Sequence, residues 1–261
     1  MVEDTGASMK ELVERMGGPE ETEEQVDAKV DALEQLQDIV DKIDYAIALH
    51  VYAKGFLPLF NMVEETKHDS IRMNAALLAA MCMRNNDKAQ MWALEAGGLA
   101  TLMKAYTNQA HPTNVRKALL SAVSSLVQNC PVGEKAFLVS GGVAALSSDV
   151  QSIARGIKVK ALFTMQWLLA CSSDARSTAA VDAALIESLQ ASVDDEDDEI
   201  AELSALCLKS LVGEKSDAVC KCVEGGTLKI KIEQRLNVGA VASGDAETTK
   251  SALTDLLSLL A

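Results

Sequence analysis

The four segments that decide the fold are IRMNAALLAAMCM (71–83), VRKALLSAVSSLV (115–127), IKVKALFTMQWLL (157–169) and IAELSALCLKSLV (200–212). Their first residues are separated by 44, 42 and 43 residues. Within each segment, apolar residues recur at intervals of three and four, which is the spacing of one face of an α-helix. The pattern therefore predicts four equivalent long helices in a repeating array.

Small-residue pairs keep the same period. Gly97-Gly98, Gly141-Gly142 and Gly225-Gly226 each precede an apolar segment, and Lys54-Gly55 and Ala183-Ala184 occupy the corresponding places. The second residues of these pairs lie 43, 44, 42 and 42 residues apart. Glycine permits a sharp break between two helices and their close approach. Each period is therefore predicted to hold a long helix, a polar turn, a short helix ending at the pair, and a third helix.

Periods of about 40–47 residues built from two or three helices are typical of armadillo and HEAT arrays. The composition agrees, because the chain is 49% hydrophobic but only 3% aromatic, which favours packed helices over β-sandwiches. We therefore predict an all-α fold, a right-handed armadillo-repeat solenoid (an α-α superhelix), as a single domain over residues 1–261. Its predicted parts are an N-terminal cap at 1–27, repeats near 28–70, 71–114, 115–156, 157–199 and 200–235, and a C-terminal connector and helix at 236–261.

The charge balance disfavours two classes of partner. With 24 Lys and Arg against 38 Asp and Glu, the net charge is −14, which repels nucleic-acid phosphates and anionic lipid head groups. The longest uncharged stretch, Ala118–Gly133, has 16 residues and is too short to span a bilayer. The segment MVEDTGASMKEL lacks the features of a secretory signal, so a cytoplasmic location is expected. The acidic run Asp194–Glu199 is predicted to be a solvated loop leading into a helix N-terminus.

The residue types that usually perform catalysis form no recognisable constellation. His50, His68 and His111 are scattered along the chain, where surface positions are expected, without a partner at metal-ligand spacing. Hydrolase and nucleotide-binding motifs are also absent from the sequence. The six cysteines fit semi-buried thiols in a reducing compartment. We therefore predict a binding protein rather than an enzyme, with no catalytic, cofactor-binding or metal site.

The long helices of armadillo arrays line a groove, and alignment of the repeats predicts which positions face it. These groove-facing pairs are Leu77/Met81, Ser121/Ser125, Phe163/Trp167 and Leu206/Ser210. The pairs lack the Trp and Asn ladder of armadillo proteins that hold basic peptides, so a folded partner is favoured. From the groove geometry we select Asn85, Gln128 and Trp167 as partner-binding residues. A role for Trp167 in packing between helices is an equally good interpretation.

Several segments, taken together in order and spacing, carry a family resemblance. They are the entry segment from MKELVERM to Lys42–Ala46, the segment 71–103 with Asn85, Asn86 and Gln90, the helices at 115–129 and 157–169, and LKIKIEQRLN at 228–237. The chain resembles the armadillo-type nucleotide exchange factors of 70-kDa heat-shock chaperones, the Fes-type and heat-shock-protein-binding-protein family. The resemblance covers nearly the whole chain.

This resemblance implies a function and a partner. Such a factor binds the nucleotide-binding domain of a 70-kDa heat-shock protein and promotes ADP release, without a cofactor or a catalytic side chain. It implies two contact positions in this sequence, Ala46 and Lys160. A monomer is expected. The alternative is a non-enzymatic armadillo scaffold that binds another folded protein and has no effect on nucleotide release.

Overall fold

The structure, a computed structural model, describes residues 2–40, 43–53, 56–214, 216–238 and 244–260. These residues form seventeen α-helices and no β-strand, so the all-α prediction is confirmed. The chain forms two compact units, Met1–Ser140 and Gly141–Ala261. Among the described residues, no single helix is long and apolar enough to cross a membrane, and only the bent pair Asp44–Tyr52 and Leu57–Glu65, taken together, reaches that length and composition. The predicted single domain stays a prediction.

The first unit contains the first two long helices of the predicted repeat. Its helices are α1 (Val2–Met16), α2 (Glu23–Ile39), α3 (Ile43–Tyr52), α4 (Leu57–Glu65), α5 (Asp69–Met83), α6 (Asp87–Glu95), α7 (Gly98–Tyr106), α8 (Thr113–Val127) and α9 (Pro131–Val139). The long helices α5 and α8 begin two residues before Ile71 and Val115, the predicted starts. The Lys54-Gly55 pair lies outside the described residues.

The second unit continues the same order of helices. Its helices are α10 (Gly142–Val150), α11 (Arg155–Cys171), α12 (Ser173–Ala180), α13 (Ala183–Ser192), α14 (Asp198–Leu211), α15 (Asp217–Glu224), α16 (Thr227–Val238) and α17 (Gly244–Leu259). The long helices α11 and α14 are each followed by a short helix and a third helix, so the three-helix period is confirmed. The closing helix α17 begins at Gly244, within the predicted C-terminal connector and helix at 236–261.

Three of the breaks between the short and third helices use glycine in a left-handed conformation. Gly97, Gly141 and Gly226 have φ values of 74°, 76° and 69°. Residues with a Cβ rarely adopt this conformation, whereas glycine adopts it readily. The break before α13 works differently, because the carboxylate of Asp182 accepts a hydrogen bond from the Leu185 N–H and caps the helix. In this period, the N-cap Asp182, rather than the alanine pair, takes the place of the glycine turn.

Close packing explains the second glycine of the first doublet. A Cβ at Gly98 would lie 2.3 Å from Cζ of Phe60, a fully buried ring on α4. Glycine at the start of α7 therefore lets α4 and α7 approach each other.

Two buried arginines hold helix ends together in the first unit. The Arg72 guanidinium donates to the carbonyls of Val63 and Thr66 at the end of α4, with the Nε–Val63 O distance at 2.9 Å. One period later, Arg116 Nε donates to the carbonyl of Tyr106 at the end of α7, at 3.3 Å. Both side chains belong to residues that are 8% exposed. The arginines thus satisfy C-terminal carbonyls that a helix leaves without partners.

Candidate functional site

The two long helices of the first unit each leave one row of side chains accessible. The partly exposed rows, at every fourth residue, are Met73, Leu77 and Met81 on α5, and Lys117, Ser121 and Ser125 on α8. Residues four apart lie on the same face of a helix, and α5 packs against α8. The groove-facing positions predicted for this unit therefore all belong to accessible rows.

The second unit has equivalent rows with a more aromatic character. They are Val159, Phe163 and Trp167 on α11, and Glu202, Leu206 and Ser210 on α14. Phe163 is 46% exposed, whereas Trp167 is half-buried. Part of the Trp167 side chain therefore packs inside the unit and part reaches the accessible face. The helices α11 and α14 pack against each other, so the two rows lie on neighbouring elements.

Lys160 is more exposed than the residues at the equivalent position of the other long helices. The equivalent residues of the other long helices, Asn74, Ala118 and Leu203, are 4%, 3% and 9% exposed, whereas Lys160 is half-buried. Its Nζ lies 5.4 Å from the centroid of the Phe163 ring. This distance is within the range of a cation–π interaction, which holds the ammonium beside the aromatic row.

Asn85 and Gln128 have local structural roles. Asn85 has a φ of 52° between α5 and α6, and Asn129 repeats this conformation after α8 with a φ of 58°. Asparagine tolerates the left-handed region better than most residues with a Cβ. Gln128 caps α8, and its Nε2 donates to Ser124 Oγ at 3.0 Å. Contact of Asn85 or Gln128 with a partner stays a prediction.

Gln90 has a role that sequence reasoning missed. It is 1% exposed, and its Nε2 donates to the carbonyls of Ser125 and Gln128, both at 2.8 Å. It therefore joins α6 to the C-terminal end of α8 in the next period. The family resemblance marked Gln90 by its spacing after Asn85 and Asn86, but the spacing gave no indication of its hydrogen-bonding partners.

The side chain of Ala46 is buried, and contact of Ala46 with a partner stays a prediction. Ala46 lies on α3 and is 1% exposed, so its side chain is part of the core of the first unit. A larger side chain there would first disturb internal packing. Lys42, at the other end of the same motif, lies outside the described residues.

The acidic run Asp194–Glu199 is ion-paired rather than simply solvated, which corrects the expectation. Lys231 Nζ lies 2.9 Å from the Asp194 carboxylate, and an Arg235 nitrogen lies 2.6 Å from the Asp198 carboxylate. Both cations belong to α16, so these pairs connect α16 to the first residue of α14 and to the loop before it. We call the acidic run Asp194–Glu199, together with its partners Lys231, Arg235 and Arg155, the acidic clasp.

Asp197 is the central residue of the acidic clasp. Its Oδ1 accepts the backbone N–H groups of Glu199 and Ile200 at 3.1 and 3.3 Å, which makes Asp197 the N-cap of α14. Arg155, the first residue of α11, donates to both carboxylate oxygens of Asp197 and to Glu199. This side-chain hydrogen bond from Arg155 lowers the pKa of Asp197 below its ordinary value, against the effect of burial. The helix-N-terminus part of the expectation is therefore confirmed.

The same residues line a cavity of about 430 Å³ in the second unit, formed by Arg155, Asp197, Asp198, Glu199, Glu202 and Thr248. Its carboxylates mostly have partners within the clasp. Across the part of the chain that the structure describes, no group of three or more His, Cys, Asp and Glu residues is arranged to hold a metal ion.

Some of the buried cysteines are unsuited to nucleophilic chemistry, and the histidines differ from the surface positions expected of them. Burial raises the pKa of Cys82 to about 12 and that of Cys222 to about 11, which keeps both thiols neutral. None of the six cysteines is in a disulfide. The three histidines are half-buried rather than fully exposed. His50 stacks on Trp92 with ring centroids 3.8 Å apart, and desolvation lowers its pKa although Glu95 opposes the shift.

Solved structures with the same architecture are armadillo-repeat proteins. A designed armadillo repeat protein superposes with a TM-score of 0.77 at 15% identity, covering 97% of this chain and 100% of that chain. The armadillo-repeats-only protein of Plasmodium falciparum gives a TM-score of 0.60 at 16% identity, covering 70% of this chain and 80% of that chain. At such low identities these similarities concern the fold alone, and they confirm the predicted armadillo class.

Sequence comparison is more specific. The sequence model of the SIL1/FES1/HPBP1 C-terminal domain matches residues 51–183, just over half of the chain. The chain belongs to this family. In this chain, the matched residues 51–183 include α5, α8 and α11, with their accessible rows and Lys160.

Curated relatives are similar over about half of this chain. The Hsp70 nucleotide exchange factor FES1 of Debaryomyces hansenii is 31% identical over 134 residues, which cover 51% of this chain and 46% of FES1. The nucleotide exchange factor SIL1 of Mus musculus is 32% identical over 127 residues, which cover 48% of this chain and 26% of SIL1. The chain thus matches about a quarter to a half of the length of these relatives.

Proposed function

We propose that the chain is a nucleotide exchange factor that binds the nucleotide-binding domain of a 70-kDa heat-shock protein and promotes ADP release. The observation that carries the proposal is the family match over residues 51–183, since two relatives named nucleotide exchange factors align with half of the chain. A cytoplasmic location, a monomeric state and action without a catalytic group are parts of the same proposal.

The mechanism needs only differential binding. A protein that binds the opened form of the nucleotide-binding domain more tightly than the ADP-closed form shifts the domain toward the opened form. By linkage, ADP must then weaken the binding of the factor by the same ratio by which the factor weakens ADP binding. Rigid arrays of packed helices suit this role, because they present fixed side chains without reorganising.

The accessible rows of the long helices are the surfaces that support the proposal. In the second unit, the proposed contacts are Lys160 and Trp167, which lie on or beside the row of α11. In the first unit, they are Asn85 and Gln128, at the ends of α5 and α8. Ala46 is left out of the contacts because its side chain is buried.

Release of a fluorescent ADP from the purified nucleotide-binding domain tests the proposal. With the full 261-residue chain in excess, we expect the release rate to rise by about tenfold or more, within the usual range of coupling between two sites. ADP should reduce the affinity of the chain for the domain by the same factor that the chain reduces ADP affinity. Unchanged release at saturating concentrations would refute the exchange activity and favour a scaffold for another folded protein.

A further inference from the structure

One phenylalanine differs from the other three in its exposure. Of the four phenylalanines, Phe56, Phe60 and Phe137 are at most 1% exposed, whereas Phe163 is 46% exposed. A large apolar ring gains most by burial, and so an exposed one in a chain with only 3% aromatic residues is not explained by core packing.

The surroundings of Phe163 extend its apolar surface. Val159 and Trp167 lie one helical turn before and after it on the same face of α11, and both are partly exposed. The neighbouring helix α14 adds the half-buried Leu206 at the equivalent position of the next period. Aromatic side chains at the centre of a contiguous apolar area are the usual energetic anchors of protein interfaces.

A positive charge is fixed at the edge of this area. The Lys160 ammonium lies 5.4 Å from the centroid of the Phe163 ring, so any surface that covers the ring also meets the ammonium. The complementary surface is therefore an apolar pocket with a carboxylate at its rim. A nucleic acid or an anionic membrane does not have that combination.

We infer that Phe163, supported by Trp167 and flanked by Lys160, is the docking anchor for a carboxylate-rimmed apolar pocket on the nucleotide-binding domain of the chaperone. This inference rests on the proposed exchange function and names the residue whose truncation should weaken binding most. Trp167 supports Phe163 because part of the Trp167 side chain is packed within the unit. Lys160 contributes orientation and rate of association more than affinity.

Binding of the purified domain to the full chain, measured by calorimetry, tests the assignment. Phe163→Ala should weaken binding by about tenfold or more, because truncation of a central aromatic anchor has effects of this size. Phe163→Leu, which keeps apolar bulk but lacks the ring, should fall between Phe163→Ala and the unmodified chain. The matched control is Ile153→Ala, a fully exposed side chain in the loop before α11, and it should leave affinity unchanged.

Salt separates the two parts of the anchor. Lys160→Gln should weaken binding by about threefold at low ionic strength, and this difference should vanish near 0.5 M salt, where exposed charges are screened. The effect of Phe163→Ala should persist at both salt concentrations. Circular dichroism should give the same helicity for all variants, since the Phe163 ring is not part of the core.

Three results would overturn the inference. If the unmodified chain binds and accelerates ADP release but Phe163→Ala binds equally well, the exchange function stands and the anchor is wrong. If the unmodified chain does not bind the domain, the function fails and the anchor fails with it. If the free chain self-associates in sedimentation and Phe163→Ala abolishes this, the occupant is a second copy of the chain.

Discussion

The two units solve the same problem, the joining of one repeat to the next, with different chemistry. In the first unit, the residue after the first apolar position of each long helix is an arginine, Arg72 or Arg116, whose guanidinium binds backbone carbonyls. In the second unit, the equivalent positions are Lys158, 3.7 Å from the Asp195 carboxylate, and Ala201. Both arginines therefore bind backbone carbonyls, and Arg72 also lies 3.1 Å from the Asp69 carboxylate, whereas Lys158 pairs with a carboxylate of the acidic clasp.

Backbone carbonyls and carboxylates respond differently to pH and to salt. A backbone carbonyl has no charge to titrate, and a buried hydrogen bond is little affected by salt. A carboxylate on the surface loses its negative charge at low pH, and its attraction is screened as ionic strength rises. We therefore expect the first unit to depend on buried polar geometry, and the C-terminal helices of the second unit to depend on solution conditions.

The largest expected effect comes from removing an arginine of the first unit. Arg72→Met leaves the carbonyls of Val63 and Thr66 without their donor, and we expect a loss of about 2–4 kcal/mol in the free energy of unfolding. Hydrogen exchange resolved by peptide should place the loss in α4 and α5. Arg84→Met, at an exposed arginine just after α5, is the control and should cost less than about 0.5 kcal/mol. Equal losses in the two variants would show that the buried contacts add nothing.

Repeat spacing predicted the helices well but not what joins them. The starts of α5, α8, α11 and α14 fell within two residues of Ile71, Val115, Ile157 and Ile200, because helical periodicity is a local property of the chain. The contacts of Gln90 and Arg155 bridge more than 30 residues, and their partners become known only when neighbouring helices have a fixed register.

The candidate surface was predictable to the same extent. All eight groove-facing positions taken from the repeat lie in accessible rows, since the face of a helix follows from its period. The burial of Ala46 was not predicted, because burial by a neighbouring helix leaves no trace in the local sequence. Phe163 was aligned with the groove, but its exposure, unusual among the phenylalanines, became clear only in the folded chain.

An intermediate effect is expected at Asp197 in the acidic clasp. Asp197→Ala removes both the N-cap of α14 and the partner of Arg155, and should cost about 1–2 kcal/mol. Asp197→Asn keeps the capping oxygen and removes only the charge, so it should cost about 0.5 kcal/mol, a difference that added salt erases. Hydrogen exchange in α11 and α14 measures both.

The pH dependence of this contribution follows from the lowered pKa of Asp197. Stabilisation by the ionised carboxylate is complete above the unfolded pKa of about 3.9, and is lost as pH falls through the lower folded pKa. Acid should therefore loosen the start of α14 and its link to α11 in the unmodified chain at a pH below about 4, and Asp197→Asn should not show this component. If added salt did not change the stability that the acidic clasp contributes, the expected difference between the two units would be wrong.

The smallest effect is expected at His50. Its titration should make the stability of the first unit depend on pH in a higher pH range than that of Asp197. Desolvation lowers the pKa of His50 below its ordinary value of 6.5, and Glu95 only partly opposes this. Because the unfolded chain binds the proton more readily, stability of the first unit is complete above pH 6.5 and declines as pH falls below it toward the folded pKa. His50→Phe keeps a ring to stack on Trp92 but cannot titrate, so it should flatten the decline in protection of α3 and α6 between pH 7 and 5, measured by hydrogen exchange corrected for intrinsic rates. If the decline persists in His50→Phe, another group of the first unit titrates, and the separation of the two units by pH range has to be assigned to that group.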